Sequence, residues 1–158
     1  MEQKVLDFRS VFSQAASVLL DTSVLIYYLE EVEPYYPLVE TIFNDILDNN
    51  ISSFLSAISI TEFVTKPFTD GKGTDVERFK QFLSSLSIQV LAVTYEIAER
   101  AGKLRSQYLS TRTPDALIIA TALENGCDVF VTNDKNLKKF EVPGLTVIVL
   151  EDFVVGKI

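Results

Sequence analysis

The sequence contains no histidine and only one cysteine, and these two absences restrict its chemistry before any motif is considered. The single Cys127 cannot form a disulfide within the chain. Without histidine and with one thiol, there is no set of soft or imidazole ligands for a structural zinc ion. Any metal ion bound by this chain must therefore be held by oxygen atoms.

Long hydrophobic runs are also missing. No apolar stretch approaches the roughly 18 residues that suggest a membrane span. The first residues include Glu2 and Asp7, unlike the basic and then apolar layout of a signal peptide. We therefore expect a cytoplasmic protein that makes no use of a membrane.

Basic residues are scarce in the first part of the chain. The net charge is −8, and the excess of acid lies within residues 1–65, whose only basic residues are Lys4 and Arg9. A nucleic-acid-binding protein usually shows a basic domain or stripe, and neither is visible here. A nucleic-acid function would need a local basic surface and would be sensitive to salt.

The length and the hydrophobic pattern predict one compact domain. The chain has 158 residues, of which 47% are hydrophobic, enough to bury a substantial core. Apolar residues at helical spacing predict a helical extension over residues 1–17, followed by one domain over residues 18–158. This extension is either a packing arm or an arm that binds a partner. Beyond it, short apolar runs alternate with helical segments, which indicates an α/β fold with a parallel sheet and helices on both faces.

Four acidic residues stand where a structural explanation alone is incomplete: Asp21, Glu62, Asp115 and Asp134. Each also has a structural alternative. Asp21 could cap a helix, Glu62 could complete a capping box with Ser59, Asp115 suits a helix N-terminus, and Asp134 could start a turn with Asn133. Thr113 is the predicted N-cap of the helix that carries Asp115. The helix that carries Glu62 is predicted to end before Pro67, because the residue ahead of a proline avoids helical geometry.

Together, the four acids predict one site. In a parallel sheet, residues at strand ends and at the starts of the following helices lie on the same carboxyl edge. Gathered carboxylates repel one another and need a counter-charge to stay ionised. No histidine or adjacent lysine is spaced to provide it, so a hard divalent cation, Mg²⁺ or Mn²⁺, is the natural candidate.

Four motifs resemble those of a known family, the PIN-domain ribonucleases, and among them the single-domain toxins of VapC type. They are Val18-Leu19-Leu20-Asp21-Thr22-Ser23, Ser56-x-x-Ser59-x-x-Glu62, Thr113-Pro114-Asp115-Ala116-Leu117-Ile118-Ile119-Ala120-Thr121-Ala122 and Val129-Phe130-Val131-Thr132-Asn133-Asp134. Each motif alone is weak, but their order and spacing are fairly specific.

The resemblance implies a three-layer α/β/α sandwich with a five-stranded, mostly parallel sheet. It also implies a Mg²⁺- or Mn²⁺-dependent endoribonuclease whose metal-binding and catalytic acids match Asp21, Glu62, Asp115 and Asp134. Ser23, Thr132 and Asn133 match the polar residues that support those acids. A small antitoxin protein and a homodimer are the partners that the family suggests.

Two questions remain open at the level of the sequence. Arg112 and Lys135 each lie within three residues of a site acid and are candidates for contact with an RNA phosphate, although a solvated surface role is the simpler explanation. The helix hairpin carries an apolar and aromatic segment that fits either core packing or a partner groove: Tyr27, Tyr28, Leu29, Tyr35 and Tyr36. The main hypothesis is an endoribonuclease toxin, and the alternative is a catalytically inactive PIN-like module that binds RNA or protein.

Overall fold

The computed structural model of the chain describes residues 8–154. Five strands alternate with helices along this part of the chain. The strands are β1 (Ser17–Leu20), β2 (Ser52–Ser56), β3 (Gln89–Leu91), β4 (Val129–Thr132) and β5 (Thr146–Val149). The helices are α1 (8–12), α2 (Thr22–Leu29), α3 (Tyr36–Asp48), α4 (Ala57–Thr69), α5 (Gly73–Ser85), α6 (Tyr95–Gln107) and α7 (Thr113–Glu124), with 3₁₀ turns at Lys135–Lys139 and Leu150–Phe153.

The strands form one sheet in the order β3-β2-β1-β4-β5, and every pairing is parallel. The predicted α/β fold with a five-stranded parallel sheet is therefore confirmed. The chain moves outward in one direction from β1 to β3 and in the other direction from β4 to β5. The order consequently reverses between β1 and β4, where sheets of this kind open a crevice at the carboxyl ends of the strands.

Side chains along each strand point alternately to the two faces of the sheet. Both faces carry apolar side chains, and helices cover both of them. In β1, Val18 and Leu20 join a core with α1, α2, α3 and α5, whereas Leu19 joins a second core with α6 and α7. β4 divides in the same way, with Phe130 facing α7. The central helix α7 is buried along most of its length, as its apolar sequence predicts.

The predicted N-terminal extension is helical over residues 8–12, and its last residue, Ser17, already belongs to β1. Phe8 and Phe12 are both fully buried, stack at a centroid distance of 6.0 Å and join the core of β1 and α3. The ring of Phe8 also meets that of Phe153 edge-on at 5.2 Å. These contacts favour the packing arm over the partner-binding arm; the rest of the predicted extension, residues 1–7, lies outside the described residues.

Two local predictions of helix ends were wrong. Helix α4 was expected to stop before Pro67, but it continues to Thr69 with Pro67 inside its last turn. A proline so close to the end removes only a late hydrogen bond, and the pair of Lys66 with Asp70 at 2.9 Å spans it. The N-cap of α7 is Arg112, one residue before the predicted Thr113, and no side chain caps that helix.

The aromatic segment packs largely within the protein. Tyr27 stacks on Tyr35 at a centroid distance of 4.6 Å, and Tyr28 packs against Phe43 at 4.4 Å. Core packing is the observed role of these rings, each of which remains partly accessible. Within residues 8–154, no helix is both long and apolar enough to cross a membrane.

Candidate active site

Asp21 lies directly after β1, at the reversal of strand order. Its Oδ1 accepts a hydrogen bond from the backbone N of Thr22 at 2.8 Å, and its Oδ2 accepts one from Thr132 Oγ1 at 2.6 Å. Asp21 is therefore the N-cap of α2, as its structural alternative proposed. Burial raises the pKa of this carboxyl group, the two hydrogen bonds lower it, and the charges of Asp115 and Asp134 raise it again.

Asp134 occupies the matching position after β4, on the other side of the reversal. Its backbone N donates to Thr132 Oγ1 at 3.0 Å, and its Oδ1 accepts from the backbone N of Asn136 at 2.9 Å. The predicted turn-forming role is thus real. Its second oxygen, Oδ2, faces Arg112 Nη2 at 3.8 Å.

Asp115 lies in the first turn of α7 and is buried. Its two carboxylate oxygens accept hydrogen bonds from Arg112, with Nε to Oδ2 at 2.9 Å and Nη2 to Oδ1 at 3.3 Å. The N-terminus of the helix adds a favourable dipole to this carboxylate.

Glu62 lies in the second turn of α4. Partial enclosure raises the pKa of its carboxyl group, and the charges of Asp21 and Asp115 raise it further. The proposed capping box was wrong, because α4 is capped by Ser56, whose Oγ accepts from the backbone N of Ile58 at 3.2 Å. Ser59 lies inside the helix instead, so local structure does not explain Glu62.

The structure thus brings the four predicted acids to one edge of the sheet. Burial is the main cause of the raised pKa of Asp21 and of Glu62, and the charges of neighbouring site acids add to it in both cases. Perturbed carboxyl groups gathered at a crevice are typical of functional sites.

The predicted supporting residues have different positions. Thr132 is fully buried and bridges the ends of β1 and β4 through its hydroxyl group. Asn133 donates from Nδ2 to Tyr27 Oη at 3.0 Å and accepts from the backbone N of Glu151 at 2.9 Å, so it braces the loop rather than touching an acid. The Oγ atom of Ser23 is buried without a hydrogen-bond partner among residues 8–154.

Two features of the site escaped sequence reasoning. The first is Arg112 as a counter-charge, since only histidine and neighbouring lysine had been considered for that role. The second is Thr22, which is buried and donates from Oγ1 to the backbone O of Ser59 at 3.3 Å. This contact ties the start of α2 to the turn of α4 that precedes Glu62. The hydroxyl pair after Asp21 was the available signal.

The candidate phosphate contacts differ in their surroundings. Arg112 is bound to Asp115 and is 72% exposed along its side chain. Lys135 starts the 3₁₀ turn after Asp134 and forms no ion pair with any described residue. Glu62 also lines a groove of about 640 Å³, whose basic residues are Lys66, Lys72 and Arg78.

The oxygen atoms of this site are of the type that binds a hard divalent cation, but they are not arranged as a ready coordination site. Carboxylate oxygens and the unpartnered hydroxyl group of Ser23 are the oxygen ligands that Mg²⁺ and Mn²⁺ prefer. Among the described residues, however, no group of three or more acidic or cysteine side chains is gathered tightly enough to hold a metal ion. Arg112 pairs with Asp115 and faces Asp134, so its guanidinium lies beside two of the carboxylates that could hold an ion.

The fold and this acidic edge define a class of three-layer α/β proteins with a carboxylate site at the reversal of strand order. The family model for the PIN domain matches residues 18–143, and the chain belongs to the PIN domain family. This result confirms the resemblance inferred from the four motifs. No curated protein is a significant sequence match to the chain.

Solved structures agree with this fold. A toxin–antitoxin complex from Klebsiella pneumoniae contains a chain with 22% identity and a TM-score of 0.60, covering 82% of this chain and 95% of its own. VapBC2 from Rickettsia felis, bound to a promoter DNA fragment, has 20% identity and a TM-score of 0.65, and the match covers 84% of this chain and 98% of that chain. VapC20 from Mycobacterium tuberculosis is described as a toxin that cleaves the sarcin–ricin loop. It has 14% identity and a TM-score of 0.59, and the match covers 77% of this chain and 92% of that chain.

Proposed function

We propose that this protein is a metal-dependent endoribonuclease that hydrolyses RNA phosphodiester bonds and acts as the toxin of a toxin–antitoxin pair. The observation that carries the proposal is the convergence of four carboxylates on the edge where the strand order reverses. Membership of the PIN domain family, whose model matches residues 18–143, supports nuclease chemistry.

The metal-binding role falls to the four acids. Asp21 and Asp115 are the more direct ligands, and Glu62 and Asp134 complete the site or act through water. Mg²⁺ or Mn²⁺ bound there would activate a water molecule and stabilise the leaving oxygen of the phosphodiester. Two hydrogen bonds, from the backbone N of Thr22 and from Thr132 Oγ1, fix the carboxylate plane of Asp21.

The neighbouring residues position these acids. Thr132 holds the Oδ2 atom of Asp21 and the backbone of Asp134, which fixes their separation. Asn133 anchors the intervening loop to Tyr27 and to the backbone of Glu151. Polar partners of metal-binding carboxylates typically change metal affinity or activity 10- to 100-fold when they are removed.

Substrate contact falls to cations beside the acids. Lys135 is a candidate because it adjoins Asp134 and has no ion pair among the described residues. Arg112 is the other candidate, since a guanidinium fork matches phosphate as well as carboxylate. With a net charge of −8, the protein would bind RNA weakly and with strong dependence on salt.

The partner assignments belong to the same proposal. The Klebsiella structure is described as a toxin–antitoxin complex and that of Rickettsia as VapBC2, which supports a small antitoxin as the partner of this chain. We also propose a homodimer acting in the cytoplasm, with residues 18–158 as its PIN domain and residues 1–17 as a packing extension.

RNA cleavage by wild-type protein and two variants tests the proposal. Asp21→Asn should abolish Mg²⁺- or Mn²⁺-dependent cleavage of a labelled structured RNA, because it removes a charged ligand while preserving the shape of the side chain. Glu77→Gln is the matched control, since it removes one negative charge from an exposed position of α5. Equal cleavage by wild type and Asp21→Asn would overturn the assignment.

A second candidate function is a PIN-like module that binds RNA or protein without turnover. It is favoured by the acidic charge and by the loose spacing of the acids, which leaves no ready three-ligand group within residues 8–154. Calorimetry separates the two functions. Divalent-ion binding that is lost in Asp115→Asn supports the enzyme, whereas no binding, or binding unaltered by that substitution, supports the inactive module.

A further inference from the structure

Arg112 is the only basic side chain among residues 8–154 that lies within ion-pair distance of any of the four site acids. Its Nε and Nη2 atoms form a fork on the two oxygens of Asp115, at 2.9 and 3.3 Å. The same Nη2 atom lies 3.8 Å from Asp134 Oδ2. The guanidinium of Arg112 therefore binds one site acid, Asp115, and faces a second, Asp134.

The backbone that carries Arg112 is fixed at several points. The carbonyl group of Arg112 accepts the backbone N–H of Ala116 at 3.1 Å. Just before it, the backbone O of Thr111 accepts from Arg105 Nε at 3.1 Å, and the hydroxyl group of Thr111 donates to the backbone O of Tyr108 at 2.6 Å. The backbone at Arg112 is thus set by the start of α7, and its side chain is the part that can move.

The guanidinium is well placed to leave its partners. The side chain of Arg112 is 72% exposed, whereas that of Asp115 is 12% exposed. Water can solvate the guanidinium when it leaves, because the Arg112 end of this pair is already exposed. A rotamer change of Arg112 would uncover both oxygens of Asp115 without any rearrangement of the fold.

Pairing with Arg112 and binding a metal ion would both use the carboxylate oxygens of Asp115. The oxygens of Asp115 that bind Arg112 are the oxygens that a divalent cation would need. The Arg112 fork uses one lone pair on each of these oxygens. A divalent ion on the same carboxylate would lie close to the guanidinium, and the repulsion between the two positive charges opposes joint occupancy. The charges nevertheless favour an ion, because one guanidinium leaves three of the four carboxylates uncompensated.

We propose that Arg112 is a built-in counter-cation that competes with the divalent metal ion for Asp115 and Asp134, so that the metal binds only when the guanidinium is displaced from these carboxylates. This inference rests on the proposed function. The displaced side chain then becomes available to the phosphate group of the substrate.

The opposite role makes a different prediction. If Arg112 served to hold Asp115 in the correct orientation for the metal, its removal would weaken metal binding. If Arg112 competes with the metal, its removal strengthens metal binding. The direction of the change in affinity therefore distinguishes a competing cation from a positioning residue.

Calorimetric titration with Mn²⁺ alone, without RNA, measures that direction. Arg112→Gln should bind Mn²⁺ roughly three- to tenfold more tightly than wild type, a range set by the modest strength of exposed ion pairs and the removal of one nearby positive charge. Arg112→Lys, which keeps the charge but loses the fork, should lie between the two proteins.

Arg100→Gln is the matched control. Arg100 is also an exposed arginine in an ion pair, to Glu124 at 2.9 Å, and Glu124 is the last residue of α7. That position lies nine residues from Asp115, or roughly 14 Å along the helix. The control removes the same charge at a distance, and its Mn²⁺ affinity should equal that of wild type.

The outcomes separate this inference from the proposed function. Mn²⁺ binding to wild type with equal or weaker binding to Arg112→Gln would overturn the competing role and leave the metal site standing. No Mn²⁺ binding to either protein would overturn both. In a nuclear magnetic resonance titration of wild type with diamagnetic Mg²⁺, the Nε–H signal of Arg112 should shift and that of Arg100 should not; a static Arg112 signal at saturating Mg²⁺ would contradict displacement.

Discussion

Thr132 Oγ1 donates a hydrogen bond to Asp21 Oδ2 at 2.6 Å and accepts one from the backbone N of Asp134 at 3.0 Å. This single hydroxyl group joins the ends of β1 and β4, the two strands between which the order of the sheet reverses. Because Thr132 is fully buried, water cannot replace either contact. One side chain therefore links two proposed metal ligands, in addition to the backbone pairing of the two strands.

Replacing Thr132 by valine should reduce Mn²⁺ affinity about 10- to 100-fold, the usual effect of losing a hydrogen-bond partner of a metal-binding carboxylate. Valine has nearly the same shape but cannot donate to Asp21, so the carboxylate loses its fixed orientation. Calorimetry with Mn²⁺ measures the change. Thr132→Ser keeps the hydroxyl group and should retain most of the affinity; an equal loss in both variants would point to packing instead of the hydrogen bond.

Asp21→Asn should stabilise the metal-free protein at neutral pH, even though it removes a proposed ligand. Burial and the neighbouring carboxylates raise the pKa of Asp21, which means that its ionised form opposes folding. Asparagine still caps α2 and can donate its side-chain N–H to Thr132. We expect a gain of about 1 kcal/mol, or roughly 2–4 °C in Tm, in thermal unfolding with EDTA at pH 7.5.

The pH dependence of that gain has a definite sign. A carboxyl group whose pKa is raised in the folded state stabilises the protein below its unfolded pKa of about 3.9, and this contribution is lost as pH rises through the folded value. The difference between wild type and Asp21→Asn should therefore be absent below about pH 4 and grow toward neutral pH. A difference that is constant across this range would refute the electrostatic explanation.

Cys127 should be unreactive in the native protein. Burial raises the pKa of its thiol to about 11, with the charge of Asp128 adding to the effect. The thiolate is the reactive form, so an aromatic disulfide reagent at pH 8 should label the folded chain far more slowly than the denatured chain. Rapid labelling of the native protein, at the rate seen in denaturant, would show that the core around Cys127 opens to the reagent.

Phe12→Ala should destabilise the protein by about 3–5 kcal/mol, the usual cost of truncating a fully buried phenylalanine. Phe12 is fully buried within the core of β1 and α3. Urea unfolding measures the loss, and Val11→Ala, at an exposed position of the same helix, is the control. A loss below about 1 kcal/mol for Phe12→Ala would indicate that α1 is not part of the cooperative core.

Much of this architecture could be predicted from the sequence because the signals are local. The apolar runs at β1 and β4 each end in a polar segment, and this pattern identifies buried strands followed by Asp21 and Asp134. Pro114 and Asp115 mark the start of α7 in the same local way. The convergence of the acids then follows from the geometry of parallel sheets.

The order of the strands was less accessible, because the pairing of β1 with both β2 and β4 joins segments far apart in the chain. The position of Arg112 was equally hidden. Its approach to Asp134, which lies 22 residues away in the chain, arises only after folding. The cap of α4 was misassigned because Ser56 and Ser59 are equally good capping residues, and the end of β2 decides between them.

Cleavage of a fluorescently labelled structured RNA, as a function of Mg²⁺ concentration, tests the central claim most directly. Wild type should show no cleavage in EDTA, a rate that rises and saturates with Mg²⁺, and full recovery when Mg²⁺ is restored. Asp115→Asn should lose this response because a ligand of the proposed site is gone, while Glu77→Gln should keep it. Cleavage by wild type that persists in EDTA, or an unchanged Mg²⁺ response in Asp115→Asn, would contradict the account.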